Sequence, residues 1–275
     1  QPLLRKRILK NYELYLFLLP TLAYFIVFKY VPMYGIQIAF RDYVPSYGFW
    51  GSRWVGMEHF LRFWNSYNFL TLLKNTLTLT FYSLLVGFPI PILLAILLNE
   101  QNNRWLKKTV QTVTYAPHFI SMVVMCGMIL AFLSPSKGVV NKLIELLGGR
   151  RLYFIASVPA FKHIYVWTGI WQNMGWSSII YLAALSGVDP ELTEAAVIDG
   201  ANKLQRIRYI SLPSILPTIV TLLILRCGSL MDVGFEKIYL LQNDLNLPAS
   251  DVISTYVYRV GVQGGEYSFS SAVGM

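Results

Sequence analysis

The chain has 275 residues, of which 55% are hydrophobic and 15% aromatic, with only 13% charged; a soluble domain carries about 25% charge. That balance excludes a soluble globular domain and predicts an integral membrane protein. The formal net charge of +9 does not indicate a nucleic-acid partner, because the basic residues form no reading helix or stripe between aromatic platforms; they gather in short connections, where they set orientation and meet anionic lipid.

Taken in chain order, "RKRILKNYE" opens a first apolar run over about 13–38. A basic segment before an apolar one suggests a signal peptide, but this run is too long and no small-residue cleavage site follows, so it reads as a retained span. Tyr15, Tyr30 and Tyr34 lie where aromatic rings meet headgroups. Further runs long enough for the ~20 residues of a crossing lie at about 69–98, 111–134, 160–186 and 209–235. The closing "YSFSSAVGM", 267–275, reads as the start of a sixth span cut short. Pro20, Pro32, the "GFPIP" of 87–91, Pro117 and Pro217 kink these runs. With no internal repeat and no soluble core, residues 1–275 are expected to form one all-α transmembrane domain.

Lysine and arginine divide evenly across the connections, ten on each side. One set (Arg5, Lys6, Arg7, Lys10, Arg104, Lys107, Lys108, Lys203, Arg206 and Arg208) is packed into much shorter segments, which places the amino terminus in the cytoplasm. Cys126 and Cys227 each fall inside an apolar run and read as buried thiols rather than a disulfide. His59, His118 and His163 are dispersed and form no metal-ligand pattern.

Two connections carry structure of their own. On the outer side, "SKGVVNKLIELLGG", 136–149, spaces Val139, Val140, Leu143, Ile144, Leu146 and Leu147 as a short amphipathic helix, too short to span, that rests on the membrane or docks an external partner. On the inner side, in the loop 187–208, Asp189 suits an N-cap, Pro190 the first helical position, and Glu191 and Glu194 the positive helix end. Leu192, Ala195, Ala196 and Asp199 share a thin face, and Gly200 breaks or bends the helix.

Polar groups inside spans belong on the bundle interior. The run "VWTGIWQNMGWSSIIY" offers Trp167, Trp171, Gln172, Asn173, Trp176, Ser177, Ser178 and Tyr181, though helical spacing keeps them from lining one path together. Aromatic rings and amides of this kind can line a ligand path. Arg226 and Ser229 follow in the fifth run, with Asp232 and Glu236 beyond; Arg226 and Asp232 are six apart and point differently, so Arg226 needs a partner beyond its own helix.

The order Glu194, Ala195, Ala196, Asp199, Gly200, Ala201, then Ile210, Leu212 and Pro213 resembles the cytoplasmic signature of permease subunits of ATP-binding-cassette importers. "WVGMEHFLRFW", "LKNTLTLT" and "GVVNKLIELLG" are similar to segments of the maltose-type, carbohydrate-importing permeases. "LPTLAYFIVFKYVPMYGIQIAFRDY" and "LILRCGSLMDVGFEKIYLLQN" resemble the branch for complex oligosaccharides, including pectin- and alginate-derived ones. The resemblance implies a six-span type I importer permease in a bacterial cytoplasmic membrane. It implies a second homologous permease, two ATPase subunits that dock the 187–208 helix as a coupling helix, an extracytoplasmic solute-binding protein, and an oligosaccharide cargo that includes acidic ones. The chain has no G-x-x-x-x-G-K-[ST] loop, so it is expected to be no enzyme and to bind no cofactor, ATP and magnesium belonging to the partners. A non-sugar importer permease is one alternative; an ion-coupled carrier is another, but it would show inverted repeats with matching broken helices.

Overall fold

The computed structural model describes residues 11–231 and 233–275; the basic residues from Arg5 to Lys10, and Asp232, lie outside them. The fold is predominantly helical. Helix α1, Tyr12–Phe25, continues through a wider turn, Ile26–Tyr30, to make a helical run of 29 residues ending at Phe40. Pro32 has no N–H to give the carbonyl four residues back, and at this place the Val31 amide reaches to Ile26 instead. Strands β1, Arg41–Asp42, and β2, Arg53–Trp54, pair antiparallel with Arg41 opposite Trp54. Helix α2 is Glu58–Trp64, and α3, Phe69–Gly87, runs through Phe88 into α4, Pro89–Asn99.

Helix α5, Arg104–Tyr115, starts at Asn103, whose side chain accepts from the Trp105 and Leu106 amides. Helix α6, Met122–Phe132, is capped by Ser121. The sequence suggests one span over 111–134, but the chain here bends by 105° between Phe119 and Met122. Pro117 closes the first arm in a tight turn, and Ser121 restarts the helix in a new direction. The longer helices and those used below continue with α7, Val139–Leu146; α8, Val158–Ser186; α9, Pro190–Ile198; α10, Lys203–Arg206; α11, Leu212–Gly228; α12, Phe235–Leu241; and α13, Tyr267–Gly274.

The chain divides into two compact units, one comprising the segment up to Phe69 with Val257–Met275, the other Leu70–Tyr256. Sequence-distant pieces build the first through aromatic and charged contacts that periodicity does not register. Phe40 stacks on Trp54 at 5.7 Å, Arg41 lies over the Trp50 and Trp54 rings, and the Tyr43 amide donates to Ser268 Oγ at 2.7 Å. Arg62 pairs with Glu266 at 2.8 Å and covers the Phe269 ring, which fixes α13 to α2.

In the second unit α8 is the central post, packed against α4, α5 and α11. One apolar cluster surrounds Leu79, Met125, Phe161, Val166 and Ile238; another joins Ile92, Ala95, Ile96, Tyr181, Leu185 and Ile215. Gly175 of α8 lies against the Thr114 backbone of α5, so close that any side chain there would overlap it. Asparagine amides bind carbonyls left free where helices end: Asn75 donates to the Pro248 and Asp251 carbonyls at 2.9 and 3.0 Å, and Asn246 to those of Ile155 and Leu241. Unmatched carbonyls away from water are costly, so these amides are structural.

Candidate functional site

The inner loop is built as a rigid element between two caps. Asp189 Oδ1 accepts from the Glu191 amide at 3.0 Å, starting α9 as its sequence predicts. At the other end Gly200 adopts φ +80°, a conformation that L side chains rarely take, and the Ala201 amide returns to the Ala196 carbonyl at 2.8 Å. Gly200 therefore ends the helix rather than bending it. Asn202 and Gln205 then exchange side-chain and backbone hydrogen bonds at 2.9 and 2.8 Å, opening α10 with a capping box. Arg206 pairs with Glu100, at the end of α4, at 3.2 Å, and both side chains are mostly covered. Sequence reading placed Arg206 only among orienting charges and did not find Glu100, because this partner lies far away along the chain.

A polar helix held this firmly still exposes Leu192, Val197, Ile198 and Leu204. Glu194, Ala195, Asp199, Leu212 and Pro213 are exposed as well, with Ala196 and Ala201 half-buried. Exposed leucine, valine and isoleucine beside small alanines form a surface that another protein can approach closely.

Higher in the same unit, a cavity of about 870 Å³ opens between α3, α4, α8, α11 and α12, within the roughly 300–1,000 Å³ typical of small-molecule sites. The α8 wall contributes Gln172, Asn173, Trp176, Ser177 and Tyr181. Trp176 stacks on His118 with ring centres 4.6 Å apart, and Asn173 bridges the His118 ring and the Gly169 carbonyl. Gln172 donates to the Ile120 carbonyl at 3.2 Å, while its Oε1 is buried without a hydrogen-bond partner among the described residues. Arg226 lines this cavity and also a smaller one of about 280 Å³ that includes Ser229.

Other predicted path residues are placed elsewhere. Trp167 donates to the Tyr82 hydroxyl at 3.0 Å outside the larger cavity, Trp171 is also absent from that lining, and Ser178 is fully buried with its hydroxyl on the Gly175 carbonyl. The helical wheel had indicated this division, since one α-helix cannot turn every face inward. Lys237 of α12, to which the sequence assigned no site role, is buried in the cavity wall.

The outer helix α7 is shorter than the 136–149 segment and ends where Gly148 takes φ +80° and the Gly149 amide returns to the Ile144 carbonyl. Arg151 grips the Glu145 carboxylate with two hydrogen bonds of 2.6 and 3.1 Å, which hold that carboxyl below its ordinary range. Asn141 ties the helix to the chain that follows through the Leu152 backbone. Leu143, Leu146 and Leu147 remain exposed.

Residues 87–274 match the family model described as "Binding-protein-dependent transport system inner membrane component". The chain is 47% identical over 273 residues to the polygalacturonan/rhamnogalacturonan transport system permease protein YteP of Bacillus subtilis, covering 99% of this chain and 85% of that one. It is 46% identical over 262 residues to protein LplB of the same organism, covering 95% and 82%. Among solved structures it is similar to a chain of a bacterial ABC transporter involved in the import of the acidic polysaccharide alginate, with a TM-score of 0.91 and 45% identity over 98% of this chain and 91% of that one. A structure of the alginate transporter in complex with a periplasmic protein bound to an alginate pentasaccharide gives a TM-score of 0.90 at the same identity.

Proposed function

The chain belongs to the family of binding-protein-dependent transport system inner membrane components, and from that premise we propose that it is the permease subunit of an ATP-driven importer for an oligosaccharide, an acidic one in particular. The observation that carries the reading is α9, capped at both ends and yet exposing Leu192, Val197 and Ile198. A short rigid helix transmits displacement where a flexible loop absorbs it. The chain contains no phosphate-cradling loop, so two ATPase subunits would grip this helix and the chain that follows it through Glu194, Ala195, Ala196, Asp199, Gly200, Ala201, Leu212 and Pro213. ATP and magnesium would be bound there. A second, homologous permease would complete the passage, the amino terminus would face the cytoplasm, and a binding protein would deliver cargo from outside.

Sugar C–H faces suit the exposed Trp176 ring, and hydroxyls suit Gln172, Asn173 and Ser177. The names of the relatives, polygalacturonan/rhamnogalacturonan and alginate, favour cargo bearing carboxylates, which Arg226 can neutralise. The test is reconstitution of the four-subunit complex in proteoliposomes with its binding protein and an oligogalacturonide or oligoalginate. ATP hydrolysis should rise several-fold only when loaded binding protein is present, and labelled sugar should accumulate inside. Uptake that follows a proton or sodium gradient without ATP would instead establish an ion-coupled carrier.

A further inference from the structure

Lys237 is 4% exposed. Its Nζ donates to the Tyr165 carbonyl at 2.9 Å and lies 5.0 Å from the centre of the Tyr165 ring. Among the described residues no carboxylate forms an ion pair with it. An ammonium has three donors, so the described fold matches one and leaves two. A buried charge with so little compensation is expensive to keep. Packing alone does not account for it, since a methionine would supply an apolar stem of similar length.

The surroundings show what the charge faces. Among the described residues, Lys237 lines the larger cavity together with Arg226, whose guanidinium has no partner there, and with Gln172, whose buried Oε1 is unmatched. Gly169 of α8 leaves the ammonium its room, because a side chain there would bring Cβ to 3.2 Å from Nζ. Glu236 is the one described carboxylate in the lining; it precedes Lys237 directly on α12, and adjacent helical residues do not face each other. Two cations thus border one cavity, the buried one anchored by a backbone carbonyl with donors to spare.

We infer that Lys237 is a specificity-determining residue of the passage, a fixed ammonium that receives a carboxylate of the acidic oligosaccharide as each sugar unit enters the cavity beside Trp176. This rests on the transport function proposed above. A lysine suits the task because its single point charge holds a carboxylate less rigidly than the two-pronged guanidinium. Conduction requires a contact favourable enough to enter and weak enough to leave.

The assay is uptake of labelled oligogalacturonide by the complete complex in proteoliposomes, at saturating loaded binding protein, for wild type, Lys237→Met, Lys237→Gln and Lys237→Arg. We expect both neutral variants to assemble with the second permease and the ATPase subunits. Their uptake should fall about tenfold or more, the loss of one hydrogen bond to a charged group, with Lys237→Arg recovering part of it. Uptake by Lys237→Met equal to wild type would overturn the inference. So would loss of the second permease on purification of Lys237→Met, which would assign the ammonium to a subunit contact. Failure of the wild-type complex to import the acid would overturn the proposed function itself and is read separately in the same assay.

Discussion

Replacing Gly200 by valine should uncouple the transporter: ATP hydrolysis stimulated by loaded binding protein falls about tenfold, and uptake falls with it, while the basal rate of the partner ATPases persists. The cause is backbone conformation alone. Gly200 has φ +80°, and a Cβ built on it meets nothing within 4 Å, so there is space for a side chain but a left-handed backbone to hold it in. That conformation costs an L residue roughly 1–2 kcal/mol, and more for a β-branched one, which shifts a local equilibrium by about 5- to 30-fold. The hydrogen bond from Ala201 to Ala196 at 2.8 Å then opens, and the end of α9 loses its fixed direction. Gly200→Asn is the graded control, because asparagine tolerates the left-handed region; it should remain close to wild type. Equal coupling by valine, asparagine and glycine would show that the end of α9 bears no mechanical load.

The second large effect is expected at Gly175. A Cβ here would overlap the backbone carbonyl of Thr114, which cannot rotate away as a flexible side chain would. Gly175→Val should force α5 and α8 apart, costing about 1–3 kcal/mol by overpacking and lowering the midpoint of thermal unfolding in detergent by several degrees. Gly175→Ala should do the same to a lesser degree. Gly127, on α6, has nothing within 4 Å of its Cβ, and Gly127→Ala should leave the midpoint unchanged. A midpoint unaffected by Gly175→Val would mean that this crossing is not the tight contact described.

Much of the inner loop was legible beforehand because caps are local. Asp189 before Pro190, and Gly200 after the alanines, announce a start and a stop within a few residues, and the structure uses both. Gly148 marks the end of α7 by the same logic. The 105° bend between α5 and α6 was hidden because hydropathy measures how apolar a run is, not where it points; Pro117 and Ser121 were its signals. The first compact unit was also illegible, since Arg62 with Glu266 and Tyr43 with Ser268 join residues that no local pattern relates. In α8 the residue types indicated polar groups on the bundle interior, and the helical wheel excluded a single shared face. Lys237 escaped because a lysine just after an apolar run reads as a loop cation unless its burial is known.

The central claim is that α9 is gripped by a separate ATP-hydrolysing protein. Its most direct test is a crosslink from Ala195→Cys in the assembled complex, with Cys227, which the structure exposes rather than buries as its apolar run suggested, first changed to serine. The adduct should form with a polypeptide carrying a G-x-x-x-x-G-K-[ST] loop, and its yield should change when ATP is added. A cysteine at this position that captured only lipid or solvent-borne reagent, in complexes shown to be complete, would contradict the account.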